Sequence, residues 1–317
     1  MLTYAQNFED VMLERLFKEV QSGFYVDIGA WDPTAHSVTR HFYDRGWRGV
    51  NVEPISQRCR LFDAERSRDI NLNKAIGPQP GSMVFFECLE ESYLSTLNPE
   101  VATAMRERGL TVQEHTVEVV TLADIFEVHC PETVDFLKID VEGFEGELLK
   151  SFDLTRYRPR ALVVEATIPS TAPSGFDHLD EIGTWQGWEP DVLAQGYQLV
   201  HFDGLNRFYL RSEDVGLARR LALPPCIFDE IEHAPTVEQI KALTDDRAAK
   251  EEVIGRLEGE LEGVRGDRAA KEEVVGRLEG ELEAVREDNA AKQGVIDRLG
   301  QELGLVREDN AAKQSVI

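Results

Sequence analysis

Residues 24–54, FYVDIGAWDPTAHSVTRHFYDRGWRGVNVEP, read as strand, tight loop, helix, strand. Phe24–Ile28 is a run of β-branched and aromatic residues that includes one acid, Asp27, and is followed by Gly29. Ser37–Arg45 places Val38 and Phe42 on one helical face, and Gly46 stops it. Gly49–Val52 is a second apolar strand, and it ends on Glu53-Pro54. Acids at the tips of two successive strands are how a Rossmann-like sheet holds a nucleoside. The glycine lets backbone approach the ligand, and a carboxylate at the second tip accepts both ribose hydroxyls.

The loop decides which nucleoside. A dinucleotide needs several glycines, because its pyrophosphate sits against bare backbone at a helix N-terminus. Here the loop is Gly29-Ala30-Trp31-Asp32-Pro33, with one glycine, a bulky indole and an extra acid. It suits a cofactor with no phosphate and a positive charge, S-adenosylmethionine, resting against Asp27, Gly29, Ala30 and Glu53. A nicotinamide enzyme lacks the glycines it would need.

Further along, VDFLKIDVEGFE (Val134–Glu145) is a buried strand whose end carries Asp140 and then Glu142-Gly143. Lys138 inside that strand needs a partner, since unpaired buried charge is costly, and Asp140, Glu142 or Glu165 can supply it. RALVVEA (Arg160–Ala166) is the next buried strand and carries Glu165 near its end. Ligands of open parallel sheets bind beyond the carboxyl ends of the strands. Asp140, Glu142 and Glu165 therefore converge where a methyl group would be delivered.

These segments, with YAQNFED (4–10) at the start and WEP…GY…FDGLNRFYL near the end, resemble the FkbM-type methyltransferase family over about Leu2–Leu210. The resemblance implies a class I S-adenosylmethionine-dependent α/β fold with a Rossmann-like, mostly parallel sheet. It also implies O-methylation, often of sugars in glycan assembly. By the same resemblance Gln6 touches the cofactor, Asn73 and Ala75 meet the adenine, and the hydroxyls of Ser92–Thr96 lie near the active site. Trp31 departs from the pattern, since many members carry Asn there.

The rest of the first 212 residues supports a single methyltransferase domain. Asn7–Val20 is an amphipathic helix with Asn7 as its cap. Ile70–Ile76 is the third strand. Thr167–Gly187, with His178 and Trp185, is a loop-rich insert suited to sugar rings. Tyr197–Phe202 and Asn206–Leu210 form a terminal antiparallel hairpin through Asp203-Gly204. Residues 213–239, with Pro224 and Pro225, read as a linker.

From Asp246 the chain repeats every 21 residues: DRAAKEEVIGRLEGELEGVRG, DRAAKEEVVGRLEGELEAVRE, DNAAKQGVIDRLGQELGLVRE. Twenty-one residues are three heptads, so residues 240–317 read as a coiled coil. Its seam runs through Ile254, Leu257, Leu261 and Val264, then polar Arg268 and Lys271, then Val275, Leu278, Leu282 and Val285. Asn289 and Asn310 at core positions favour a parallel homodimer. Glu260 with Arg265 and Glu281 with Arg286 are spaced for pairing between chains; the alternative is a partner protein on the same seam.

Formal net charge is −25, which disfavours nucleic acid as a substrate. No apolar run approaches a membrane span and no leader-like N-terminus precedes the first helix, so the expected location is cytoplasmic, with the inner face of the membrane reached through partners. The four cysteines (59, 88, 130, 226) form no metal or disulfide pattern. The expected reaction is attack of an acceptor hydroxyl, on a sugar of a cell-surface glycan or glycoconjugate, on the sulfonium methyl. Asp140 or Glu142 is the first candidate base, Glu165 the next, and His36 and His178 are weaker ones. Mg²⁺ bound by the clustered acids is the alternative device. A non-catalytic scaffold on a coiled-coil rod is the alternative function.

Overall fold

The computed structural model describes residues 1–167, 183–234 and 237–314. They divide into two compact units, Met1–Val237 and Glu238–Ile317. In chain order the strands are β1 (Leu2–Thr3), β2 (Phe24–Ile28), β3 (Arg48–Val52), β4 (Ile70–Leu72), β5 (Ala75–Ile76) and β6 (Gly81–Cys88). There follow β7 (Val112–Val120), β8 (Phe136–Ile139), β9 (Ala161–Glu165), β10 (Tyr197–Phe202), β11 (Asn206–Arg211) and β12 (Glu232–His233).

Seven strands form one sheet in the order β10-β11-β9-β8-β2-β3-β4. The pairs from β9 to β4 are parallel, and β11 runs antiparallel to both of its neighbours. The expected hairpin is therefore present at one edge. From β2 the chain steps outward through β3 and β4, then returns to place β8 on β2's other side. That reversal opens a crevice beyond the carboxyl ends of β2 and β8.

The alternation of each strand makes two cores. Val26, Ile28, Val50, Val52, Leu137, Ile139, Leu162 and Val164 pack on one face. Tyr25, Phe136, Ala161, Val163, Phe208 and Leu210 pack on the other, with Phe42 and Trp47. Each large apolar side chain so buried contributes about 1.5–3 kcal/mol. Asp27 and Lys138 fall on this second face and are register partners across β2 and β8. A fully buried Arg66–Asp69 pair also reaches the Tyr25 hydroxyl on this side.

Three expectations need correction. The predicted strand at 70–76 is two strands in two sheets, because β5 pairs with β7 in a separate sheet of order β5-β7-β6. Asn73 causes the break: its amide donates to the carbonyls of Glu53 and Pro54, turning the chain away from β4. Asn7 does not cap the first helix, Glu9–Phe17; the cap position is Phe8 at φ 64°, with no side-chain cap. The Asn7 amide instead reaches the Asp203 carbonyl, while the Glu9 carboxylate takes the Asn7 N–H.

The segment read as a linker is docked on the first unit. Ser212–Leu221 is a 3₁₀ helix that buries Leu221 completely, and β12 pairs in parallel with β1. Arg15 holds the Pro224 segment in place. Its guanidinium donates to the carbonyls of Leu223 and Pro224 and pairs with Asp229 at 2.6 Å.

The described residues of the second unit belong to one helix, Val237–Gln314, of 78 residues, and about 1.5 Å per residue makes it roughly 117 Å long. Seam residues from Ile254 to Leu299 are exposed along it, Leu261 at 49% and Ile254 at 53%. Ion pairs four residues apart, such as Arg247–Glu251 and Arg268–Glu272, both at 2.8 Å, stitch its polar surface. A methyl group added at Gly259 or Gly280 meets nothing within 4 Å. Both lie opposite the seam. Gly259→Ala with Gly280→Ala is therefore expected to stabilise the helix by about 1 kcal/mol per site. A higher melting temperature of the far-ultraviolet helical signal, with the first unit's transition unmoved, checks this.

Candidate active site

A cavity of about 380 Å³ lies in the crevice beyond β2 and β8. Gly29, Ala30 and Trp31 line it after β2, Glu53–Ile55 after β3, and Lys74–Ile76 around β5. Asp140, Val141 and Glu142 line it after β8, and Glu165 at the end of β9. Residues Glu91–Ser95 and Leu97 form a further wall, and Gln6 also reaches the cavity.

Gly29 is a contact point between the two central strand tips. It sits at φ +75°, and a Cβ there would lie 1.7 Å from the Asp140 carbonyl oxygen. Only glycine fits both the conformation and the space. The Gly29 and Ala30 N–H groups are taken by the Val52 carbonyl at 3.1 Å each, which fixes the loop.

Glu53 is 4% exposed. One carboxylate oxygen accepts the Ile55 N–H at 2.7 Å and the other the Trp31 N–H at 3.0 Å. Burial pushes its pKa up to about 7 against the pull of those N–H groups and of Arg58. The departure at Trp31 has a local logic. Its backbone sits at φ +54°, and its ring stacks on His36, lies under Arg58 at 4.2 Å and donates from Nε1 to Ser92 at 3.2 Å. The indole joins the glycine loop to the opposite wall.

Asp27 lies beneath the cavity and does not line it. It is 1% exposed, accepts the Thr39 hydroxyl at 3.1 Å and faces Lys138 at 3.5 Å. Lys138 also pairs with Asp140 at 3.2 Å and donates to the Gly29 carbonyl at 3.1 Å. The ammonium thus ties both strand tips together. Asn73 is likewise outside the cavity, holding the loop after β3; Ala75 lines it.

The three predicted acids do come together: one carboxylate oxygen from each of Asp140, Glu142 and Glu165 lies within 4.8 Å of the other two. The parallel register of β8 with β9, continued one residue, sets Asp140 beside Glu165. Glu142 is held from its backbone, at φ +55°. Thr96 donates to its carbonyl at 2.7 Å, Asn98 donates to the Gly143 carbonyl, and the Glu145 carboxylate takes the N–H groups of Val141 and Gly143. Burial, then repulsion from Asp140, holds the Glu142 and Glu165 carboxyls well above the ordinary range. Burial pushes Glu145 up to about 7.

Thr96, Asn98 and Glu145 were not singled out as supports of this loop from sequence; Glu145, first residue of its helix, is the one a helix-start pattern signals. His36 lines the cavity. His178 and most of the predicted insert lie outside the described residues. Trp185 is described, and it packs on Phe202 beneath Arg207, away from the cavity lining.

A family model described as "Methyltransferase FkbM domain" matches residues 27–199. The chain belongs to the FkbM methyltransferase family. The matched span begins at Asp27 and takes in β3, β8 and β9, the strands that carry the cavity. The class I arrangement expected from the FkbM resemblance is the sheet observed, followed by the long helix. Among solved structures, methyltransferase FkbM from Methylobacillus flagellatus KT is similar at 15% identity and a TM-score of 0.34, over 60% of this chain and 44% of that one. The chain thus spans less than half the length of that FkbM protein. No curated protein matches.

Proposed function

We propose that this chain transfers a methyl group from S-adenosylmethionine to a hydroxyl, with a sugar of a cell-surface glycan or glycoconjugate as the acceptor class. One observation carries the reading: a single cavity joins the buried Glu53 carboxylate and the bare Gly29-Ala30 backbone to the three acids of β8 and β9. The donor set fits the cofactor. Glu53 accepts ribose hydroxyls, the apolar Ile55, Ala75, Ile76, Phe85 and Leu97 suit a base, and no phosphate cradle is present among the described residues. Bound there, S-adenosylmethionine supplies a methyl on a positively charged sulfur, which keeps the C–S electron pair. Asp140 takes the proton of the acceptor hydroxyl whose oxygen forms the new C–O bond, with Glu142 and Glu165 alongside. The remaining catalysis is alignment within a cleft that Trp31 and Ser92 close on one side.

Transfer of label from the donor into a cell-envelope glycan fraction, with mass spectrometry of the product, tests the activity. No incorporation, together with no heat of S-adenosylmethionine binding, would leave the scaffold reading in its place. The negative charge of the chain sits badly with a nucleic-acid acceptor. No helix among the described residues is long and apolar enough to cross a membrane, and we place the reaction in the cytoplasm. The exposed seam of the second unit supports a parallel homodimer, which sedimentation equilibrium checks.

Glu53 gives the reading a pH signature. Burial pushes its carboxyl up to about 7, against the pull of the Ile55 and Trp31 N–H groups and of Arg58 and Lys138. Accepting two hydroxyls favours the anion. Donor affinity is therefore expected to plateau above pH 8 and to weaken as pH falls through 7, approaching about tenfold per unit. In Glu53→Gln that dependence should vanish and affinity should be low throughout. Calorimetric titration from pH 5.5 to 8.5 reads both.

A further inference from the structure

The geometry points to a binding site for one hard divalent cation, of the Mg²⁺, Mn²⁺ or Ca²⁺ class, formed by Asp140, Glu142 and Glu165. The inference rests on the methyl-transfer reading only for what the cation does, not for where it binds.

Three carboxylates from three separate positions, the tip of β8, the loop after it and the tip of β9, present oxygens within 4.8 Å of one another. That spread matches oxygens around a single ion whose ligand distances are about 2.1–2.6 Å. A cluster of acids alone would carry little weight. Here one oxygen each of Glu142 and Glu165, Oε2, has no hydrogen-bond partner among the described residues, although the residues are 8% and 7% exposed. Buried polar atoms are normally satisfied, so two adjacent orphan carboxylate oxygens at one cavity wall mark a missing electropositive partner.

Lys138 is not that partner. Its ammonium is engaged by Asp140, Asp27 and the Gly29 carbonyl. No ion pair to Glu142 or Glu165 occurs among the described residues. Among the described residues the set is all oxygen, with neither histidine nor cysteine, which selects hard cations over zinc or copper. Thr96 holds the Glu142 carbonyl, and Asn98 and Glu145 hold its neighbours Val141 and Gly143, so no hydrogen bond is spent on the Glu142 Oε2. The trio opens on the cavity, so remaining coordination positions fall to water and to acceptor hydroxyls. A cation there orients two neighbouring hydroxyls and lowers the pKa of the one that reacts. Its proton then passes to an oxygen of the same carboxylate group, so no further reactant is required.

The test uses the full chain stripped with chelator, then titrated with Mn²⁺ under electron paramagnetic resonance, with no acceptor present. One Mn²⁺ per chain is expected. Glu142→Gln and Glu165→Gln should each weaken it by at least about tenfold, since each removes one charged ligand. Glu147→Gln, an exposed acid on the following helix, should leave it unchanged. Thermal melts confirm that the isosteric variants fold, and calorimetry with S-adenosylmethionine runs in parallel. Donor binding without stoichiometric Mn²⁺, or Mn²⁺ binding that survives the Glu142→Gln/Glu165→Gln pair, overturns the cation site while methyl transfer stands. Mn²⁺ binding lost in that pair, with no donor binding, keeps the site and removes the methyltransferase reading.

Discussion

Asp140→Asn should lower methyl transfer by roughly 10²–10⁴-fold, the range expected when a general base is removed. The substitution keeps the size of the side chain and the Asp140 carbonyl against which Gly29 packs. Donor affinity should therefore change far less than turnover. The same exchange takes one charged oxygen from the acid trio and leaves Lys138 with Asp27 alone. Both effects act where the acceptor hydroxyl loses its proton, so the loss belongs in kcat. Steady-state kinetics with the donor and acceptor varied separately makes the distinction. A variant with full turnover excludes Asp140 as the base and moves the role to Glu142. A variant whose donor KM rises in step with the loss shows that Asp140 holds the cofactor instead.

The parts of this site that were legible in sequence are those set by strand periodicity. A strand that ends in an acid places that acid at the carboxyl edge of a parallel sheet, whatever surrounds it. Glu53, Asp140 and Glu165 were found in that way, and the sheet order then brought the last two together. Asp27 shows the limit of the method. Asp27 lies two residues before Gly29 on the same face as Lys138 and Glu165, and Thr39 and Lys138 hold its carboxylate below the cavity that Lys138 and Glu165 line. Asn73 failed for a related reason. A buried amide in a strand-like run can read a base edge or brace a turn, and only the neighbouring carbonyls of Glu53 and Pro54 select the second.

Supports that act across long separations were not legible. Thr96 and Asn98 hold the Glu142 loop from more than forty residues away, and no spacing rule links them. The docked segment before the long helix was missed likewise: two prolines signal a break locally, whereas Arg15 holds that segment from more than two hundred residues away. The 21-residue repeat lies at the other extreme. Its period is written entirely in local sequence, and the single helix Val237–Gln314 follows from it.

Lys138→Met should be strongly destabilising. Methionine keeps an unbranched apolar stem in β8, so packing against the second core changes little. What is lost is the charge. Burial alone would push the Lys138 ammonium down toward neutrality, but Asp140 and Asp27 more than offset this, and its pKa ends above the ordinary lysine value. A raised lysine pKa stabilises the fold at all pH values below the unfolded lysine range, and that stability is lost only in strong base. The loss in the variant is therefore constant between pH 6 and 8. Breaking a buried ion pair from one side costs about 3–5 kcal/mol, because the remaining carboxylate stays buried without its cation. For a domain of this size that lowers the melting temperature by roughly 6–20 °C. Asp27 is the partner left in that position, at 1% exposure, whereas Asp140 retains access to the cavity. Adding Asp27→Asn should thus recover part of the loss, and adding Asp140→Asn less. Urea unfolding of the three variants, with unchanged dependence on denaturant, measures the coupling. If Lys138→Met unfolds within about 1 kcal/mol of the parent, the ammonium does not hold the tips of β2 and β8 together, and the Gly29–Asp140 contact must rest on the backbone hydrogen bonds alone.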